Sequence, residues 1–191
     1  MEAFQLWFET GLEHILDLKG YDHILYVVAF SILFSHRQWK PLFWLVTAFT
    51  LGHSLTLALS TMNVLDLPQS VVEIAIVLTI LISCMWNLLD LRRSEPRVSY
   101  RYVTAVVFGC IHGLGFSYLL KSMLGREESI VLPLLYFNLG LEAGQLVILS
   151  AVVGFKAILL KFWPIYERII ATTITFVILA VAVYLLLLRV A

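Results

Sequence analysis

Six long apolar runs constrain the fold of this chain more than any other feature. A run of roughly 17–25 apolar residues, closed by charged residues or proline, has the length that crosses a bilayer as an α-helix. The six runs cover residues 21–36, 41–61, 69–90, 101–121, 132–155 and 165–189. Of the 191 residues, 61% are hydrophobic and only 14% are charged, and no soluble core of this size could bury all six runs. The sequence therefore predicts an all-α, polytopic membrane protein.

An amphipathic segment precedes these runs. Over residues 3–18, the apolar positions 4, 7, 8, 12, 15 and 16 fit one face of a helix, which is typical of a helix lying at the bilayer surface. The first twenty residues contain four acidic residues and no basic head, so no cleavable signal peptide is predicted. Because the connections between the runs are short, we expect one transmembrane domain over residues 1–191, a compact bundle of six spans with an N-terminal interfacial helix.

The basic residues predict an orientation. Thirteen basic and thirteen acidic residues leave no cluster that could neutralise a row of phosphates, which excludes nucleic acid as a partner. One side of the predicted bundle carries nine basic residues, namely Arg37, Lys40, Arg92, Arg93, Arg97, Arg101, Lys156, Lys161 and Arg168. The other side carries four, namely Lys19, Lys121, Arg126 and Arg189. The positive-inside rule then places the first side in the cytoplasm and both termini outside.

Polar residues within or beside the runs are the candidates for function, because an ionisable group in hydrocarbon costs at least ~2.5–3.5 kcal/mol. They are His14, Asp22, His23, His53, Ser54, Glu73, His112, Asn138, Glu142 and Gln145. In the predicted topology they fall in the middle and outer half of the membrane, so the site is expected to open outward. By contrast, His36 is expected at the cytoplasmic face, as an ordinary loop residue.

The chemistry of these side chains favours a transition metal. Imidazole nitrogens with carboxylates suit Ni²⁺, Co²⁺ or Zn²⁺, whereas Mg²⁺ and Ca²⁺ prefer oxygen ligands almost exclusively. Each residue also has a structural interpretation. A buried His can join helices by hydrogen bonds, and Glu142 could be a protonated acid bonded to Asn138. Cys84 and Cys110 lie in apolar runs and are predicted to be packing residues.

Two pairs of glycines flank two of these candidates. Gly109 and Gly113 bracket His112, and Gly140 and Gly144 bracket Glu142. Such small-xxx-small faces let membrane helices approach closely, so the fourth and fifth spans are expected to meet at these positions. The alternative is that the glycines serve helix packing alone.

Five ordered motifs resemble the HupE/UreJ family of small bacterial membrane proteins, in the branch that lacks a His-Pro opening motif. They are Gly11-Leu-Glu-His14 with Gly20-Tyr-Asp-His23, Phe49-Thr-Leu-Gly-His-Ser-Leu-Thr-Leu57, Val72-Glu73, Phe108-x3-His-Gly-Leu-Gly-Phe116, and Phe137-Asn-Leu-Gly-Leu-Glu-Ala-Gly-Gln145. The resemblance implies a bacterial inner-membrane protein that supplies nickel or cobalt to hydrogenase or urease, usually described as a secondary metal permease. By matching position it implies a set of metal-handling residues: His14, Asp22, His23, His53, His112 and Glu142.

Two functions remain open at this point. The first is a nickel or cobalt transporter with an outward-facing intramembrane site of His and carboxylate residues, supported by Glu73, Asn138, Gln145 and Ser54. The second is an intramembrane zinc-dependent hydrolase or protease, in which Glu142 or Glu73 would act as general base on a metal-bound water. Both interpretations give a metal ion and membrane lipid as partners, and both leave a homo-oligomer open.

Overall fold

The computed structural model describes residues 2–93, 98–124 and 129–190, and these residues form α-helices and short turns without a strand. The helices are α1 Glu2–Leu16, α2 Tyr21–Ser31, α3 Trp39–Thr61, α4 Gln69–Asp90, α5 Ser99–Leu124, α6 Val131–Phe162 and α7 Glu167–Val190. Within the described residues, four segments are long and apolar enough to cross a membrane, namely Trp39–Thr61, Gln69–Asp90, Val131–Phe162 and Pro164–Val190. The prediction of an all-helical membrane protein is confirmed at this level.

The first predicted span, residues 21–36, is α-helical only over Tyr21–Ser31 in the structure. Helix α2 has 11 residues, so it rises by only about 17 Å, roughly half the thickness of a hydrocarbon core. A 3-10 turn at Leu18–Gly20 separates it from α1, and Ser35 and Gln38 form a capping box that starts the turn His36–Gln38. Residues 21–36 are therefore not one helix. The existence of six crossings stays a prediction.

Helix α1 packs lengthwise against α6 and runs in the same direction. A methyl group at Gly11 would overlap the carbonyl oxygen of Phe137, and one at Gly144 would collide with Ile15, so the two helices are in close contact over several turns. The structure confirms that a helix occupies almost the whole of residues 3–18. Instead of lying over the bundle, however, this helix contributes Trp7, Gly11 and Ile15 to the buried interior. Its expected position at the bilayer surface stays a prediction.

Helices α3 and α5 form a second close parallel pair. A methyl group at Gly52 would overlap the carbonyl oxygen of Val106, and one at Gly109 would overlap that of Phe49. The sequence predicted a different arrangement, in which the glycines around His112 and those around Glu142 face one another. In the structure the α5 glycines pack against α3 and the α6 glycines pack against α1. Each of the two small-residue faces therefore has a different partner helix.

Two basic residues that were assigned to a cytoplasmic face are buried. Arg101 is 4% exposed and donates hydrogen bonds to the side chains of Asn87 and Asp90 on α4. Lys156 is also 4% exposed, and its Nζ donates to the carbonyl oxygens of Ile32 and Phe34 beyond the end of α2. They therefore stabilise helix packing instead of facing water. Arg97 and Arg126, which entered the same count, lie outside the described residues.

Candidate metal centre

Four helices each bring one imidazole to a common place in the bundle. His14 comes from the last turn of α1, His23 from the first turn of α2, His53 from α3 and His112 from α5. The ring centroids are 4.6 Å apart for His14 and His23, 6.0 Å for His14 and His53, and 5.0 Å for His23 and His112. Four of the histidines predicted from the sequence are thus brought together.

The break between α1 and α2 makes this convergence possible. On a continuous helix, nine residues would separate His14 and His23 by about 13.5 Å along the axis. The 3-10 turn at Leu18–Gly20 ends one helix and redirects the chain, so the two rings come into contact. His53 and His112 approach for another reason, since the glycine contacts between α3 and α5 hold their backbones close together.

Three of the imidazoles have the geometry of a shared cation site. One ring nitrogen from each of His14, His23 and His53 lies within 4.8 Å of the other two. With metal–nitrogen bonds of about 2.1 Å, ligand nitrogens lie up to about 4.2 Å apart, so movements of less than about 1 Å would place all three on one ion. Nε2 of His14 and both ring nitrogens of His53 are buried without a hydrogen-bond partner in the described part of the chain. A bound metal ion would give each ring a partner at one of its two nitrogens.

His112 adjoins this trio but has a partner of its own. Its Nε2 lies 3.2 Å from Oγ1 of Thr79 on α4, while its ring faces His23. This contact leaves Nδ1 as the ring nitrogen without a partner among the described residues. His112 is therefore placed to support the trio or to join it as a fourth ligand.

Asp22 contacts the centre through His23. Its Oδ1 lies 3.1 Å from Nδ1 of His23 and accepts the backbone N–H of the same residue at 3.0 Å. The side-chain contact has the distance of an ion pair but not the angle of a hydrogen bond, so it is a close polar contact. A carboxylate beside the second nitrogen of a metal-binding imidazole fixes the ring and makes it a stronger ligand. Asp22 fits this role better than that of a ligand.

A cavity of about 480 Å³ reaches the centre beside His14. It is lined by Thr10, Glu13, His14, Leu16, Asp17 and Phe116. Two of these residues, Glu13 in the last turn of α1 and Asp17 just after it, carry exposed carboxylates, and the C-terminal end of a helix also favours positive charge. The cavity thus gives a cation an approach to the first imidazole.

Glu142 and its polar neighbours lie elsewhere. Oε1 of Glu142 accepts a hydrogen bond from Thr47 at 2.6 Å, and Oε1 of Gln145 accepts one from Thr50 at 3.0 Å. With Asn138 and Ser54, Glu142 lines a mainly apolar cavity of about 630 Å³ between α3 and α6. The contacts therefore do not place Glu142 beside His112, where the sequence put it.

Glu73 has its side-chain contacts with Gln69 and Arg189. It accepts a hydrogen bond from Gln69 at 2.8 Å, and its Oε2 lies 3.9 Å from Nε of Arg189. Neither Glu73 nor Glu142 has a contact that would suit a general base at the histidine centre, so nothing in these contacts favours the metalloenzyme interpretation. His36 belongs to the turn before α3, about two thirds of the helix away from His53.

Arg189 is the residue that the sequence analysis missed at this site. It lies in the last turn of α7, where Nη1 donates to the carbonyl oxygen of Glu73 at 2.7 Å and Nη2 lies 3.7 Å from Oδ2 of Asp22. No local pattern marks it, because its neighbours come from α2 and α4. The sequence analysis used Arg189 only to count charges.

Fold and site together define a multi-pass helical membrane protein with a buried histidine cluster. The family model described as HupE / UreJ protein matches residues 1–189, and the chain belongs to the HupE/UreJ family. No curated protein and no solved structure matches the chain significantly.

Proposed function

We propose that this protein transports a divalent transition metal, nickel or cobalt, across the bacterial inner membrane. His14, His23 and His53 would bind the cargo ion, with His112 and Asp22 as supporting residues. The observation that carries the proposal is the trio of ring nitrogens within 4.8 Å of one another, contributed by three helices. Nε2 of His14 and both ring nitrogens of His53 are buried without a hydrogen-bond partner among the described residues. Membership of the HupE/UreJ family, which is associated with nickel and cobalt supply, supports the choice of cargo.

The donor set suits transient binding. Imidazoles select borderline cations over Mg²⁺ and Ca²⁺, but they bring no negative charge. Asp22 contacts His23 of the trio with its carboxylate, and one carboxylate would neutralise only part of the charge of a divalent ion. A centre of this kind can bind its ion and release it again, as transport requires.

A polar face of α4 offers a route beyond the centre. Thr79, Ser83 and Asn87 recur every fourth residue on one side of the helix and are all buried. The first of them contacts His112, and the last is bonded to Arg101. In the proposed cycle the ion follows this face toward the cytoplasm. The buried guanidinium of Arg101 would repel a cation there, so this end of the route is closed in the present conformation.

The chain topology that we propose has six crossings with both termini outside. Helices α1 and α2 would form the first crossing together, as one interrupted helix. In support, α1 contacts α6 from Phe137 to Gly144, and the chain just after α2 contacts Lys156, about 18 Å further along α6 in the same direction. Interrupted helices are common at the ion sites of transporters, where helix ends and exposed carbonyls favour cations.

Metal analysis of the purified protein, combined with uptake into proteoliposomes, tests the function. We expect bound Ni²⁺ or Co²⁺ and time-dependent uptake by the parent protein, no uptake by His53→Ala, and uptake at the parent rate by His36→Ala. Binding of Zn²⁺ with no flux of any metal would contradict transport. Equal uptake by the His53→Ala and parent proteins would remove the centre from the transport route.

A further inference from the structure

We propose that Arg189 lowers the metal affinity of the histidine centre by acting on His23 through Asp22. This inference rests on the proposed function, because it concerns the same site. Arg189 would not touch the ion. It would be a positioning residue that sets how tightly the centre holds its cargo.

The guanidinium group of Arg189 is held between the first turns of α4 and Asp22. Arg189 is 22% exposed, and the hydrogen bond from its Nη1 to the carbonyl oxygen of Glu73 fixes it against the first turns of α4. This bond directs Nη2 toward Asp22 on α2, at 3.7 Å from Oδ2. A positive charge from the end of α7 is thus held beside the carboxylate of the metal centre.

The Asp22 carboxylate is divided between two partners. Oδ1 faces Nδ1 of His23 at 3.1 Å, while Oδ2 faces Arg189. A carboxylate strengthens a metal-binding imidazole by supplying negative charge to its second nitrogen. The guanidinium competes for that negative charge, so it makes His23 a weaker ligand.

Two carboxylates lie near the guanidinium group. Glu73 offsets part of the positive charge, since its Oε2 lies 3.9 Å from Nε of Arg189, but this carboxylate is 39% exposed and screened by solvent. The contact with Asp22 is less exposed, at 15% for the carboxylate. The electrostatic interaction of Arg189 with the buried carboxylate of Asp22 is therefore stronger than its interaction with Glu73. By weakening the support that Asp22 gives to His23, it favours release of a divalent cation.

Isothermal titration of the purified full chain with Ni²⁺ alone, in detergent, measures the effect. We expect Arg189→Gln to lower the Kd by roughly 3- to 10-fold, which is less than the roughly 10- to 100-fold effect of a residue bonded directly to a metal ligand, because Arg189 acts through Asp22. Arg189→Lys retains the charge but not the forked donor geometry, so we expect a smaller decrease in Kd than for Arg189→Gln. The matched control is Arg93→Gln, which removes an arginine from a similar ion pair with Asp90 on another part of α4.

A double-mutant cycle with Asp22→Asn isolates the route of the effect. Asp22→Asn alone should raise the Kd, and adding Arg189→Gln to it should change the Kd by less than about 2-fold. If the Asp22→Asn variant binds Ni²⁺ too weakly for a Kd to be measured, the comparison of the Kd of Arg189→Gln with that of Arg189→Lys decides whether the charge of Arg189 sets the affinity. An unchanged or higher Kd for Arg189→Gln, with the thermal unfolding of the parent, would overturn the inference, as would an equal effect in both backgrounds. A parent protein that binds neither Ni²⁺ nor Co²⁺ would instead overturn the proposed function.

Discussion

The imidazole rings of His14 and His23 are in edge-to-face contact, with centroids 4.6 Å apart, although they are nine positions apart in the chain. This contact exists because α1 ends at Leu16 and α2 begins anew at Tyr21. The interruption places two ligands of the candidate centre at the junction of two short helices. A change in the angle between α1 and α2 would therefore alter metal binding directly.

The first prediction separates ligands from supporting residues. Alanine substitution of His14, His23 or His53 should each weaken Ni²⁺ binding by more than about 100-fold, because each removes one nitrogen of the trio. His112→Ala should weaken it by only about 10-fold, the scale of a supporting partner. Titration of the purified variants measures both, with His36→Ala as the control. Equal losses for His53→Ala and His112→Ala would make His112 a full ligand.

A second prediction concerns Glu142. Replacing it with glutamine keeps an oxygen that can accept the hydrogen bond of Thr47, which is the side-chain contact of Glu142 described above. We expect Glu142→Gln to unfold at the temperature of the parent and to bind Ni²⁺ with a Kd within about 2-fold. A folded variant without metal binding would restore Glu142 to the centre, where the family resemblance had put it.

How far the sequence predicts this site can be judged from these residues. The depth of His23, His53 and His112 in their apolar runs predicted that they share one cation, since side chains that are costly in lipid turn toward one another. In the structure the three lie in one cluster of imidazoles, but the trio within 4.8 Å contains His14 in place of His112. The position of Glu142 depended on which helices face each other. Its glycines contact α1, and no pattern within one helix specifies the partner of a small-residue face.

The sequence predicted a helix over residues 3–18 and a separate run from residue 21, and the break at Leu18–Gly20 lies where these two segments meet. The packing of α1 within the bundle and the contact of Arg189 with Asp22 were not predicted, for a related reason. Residues 3–18 are amphipathic, a property shared by a surface helix and by a helix that packs on one side. The contact of Arg189 with Asp22 joins residues 167 positions apart in the chain. Long-range contacts of this kind follow from the packing of the whole bundle, whereas the helical class follows from local composition.

The glycine contacts give a third prediction, about stability. Gly11→Ala would place a methyl group on the carbonyl oxygen of Phe137, so α1 and α6 must separate at a cost of about 1–3 kcal/mol in the free energy of unfolding. Gly154→Ala on α6 is the matched control, because no described atom lies within 4 Å of its Cβ position. Thermal unfolding in detergent compares the two. Identical midpoints would show that the helices are not in close contact.

A fourth prediction tests the orientation. In a background without Cys84 and Cys110, single cysteines at Asp66 and Arg92, both exposed, should react with a membrane-impermeant thiol reagent from opposite sides. The cysteine at position 66 should be labelled in intact cells, and that at position 92 only after permeabilisation, because the basic residues favour the cytoplasm on that side. Labelling of position 92 in intact cells would invert the topology.

The last prediction concerns Lys156, whose ammonium group joins three parts of the bundle. It donates to the carbonyl oxygens of Ile32 and Phe34 and lies 3.0 Å from Oε1 of Glu167. Lys156→Met retains most of the packing volume but leaves two carbonyl groups without their donor. Each such loss costs about 1–3 kcal/mol when the group stays buried. The ion pair itself adds little, because Glu167 is 50% exposed.

We therefore expect Lys156→Met to lower the free energy of unfolding by about 2–6 kcal/mol, measured by denaturant titration in detergent. Lys161→Met removes an exposed lysine from the same helix and should leave it unchanged within about 0.5 kcal/mol. Glu167→Gln keeps both hydrogen bonds from Lys156 to the carbonyl oxygens, so it should also change the free energy of unfolding only slightly. If Glu167→Gln destabilised the protein as much as Lys156→Met, the ion pair and not the capping of the α2 end would hold these helices together. Because α2 carries His23 at its other end, the Lys156→Met variant should also bind Ni²⁺ more weakly than the Lys161→Met variant.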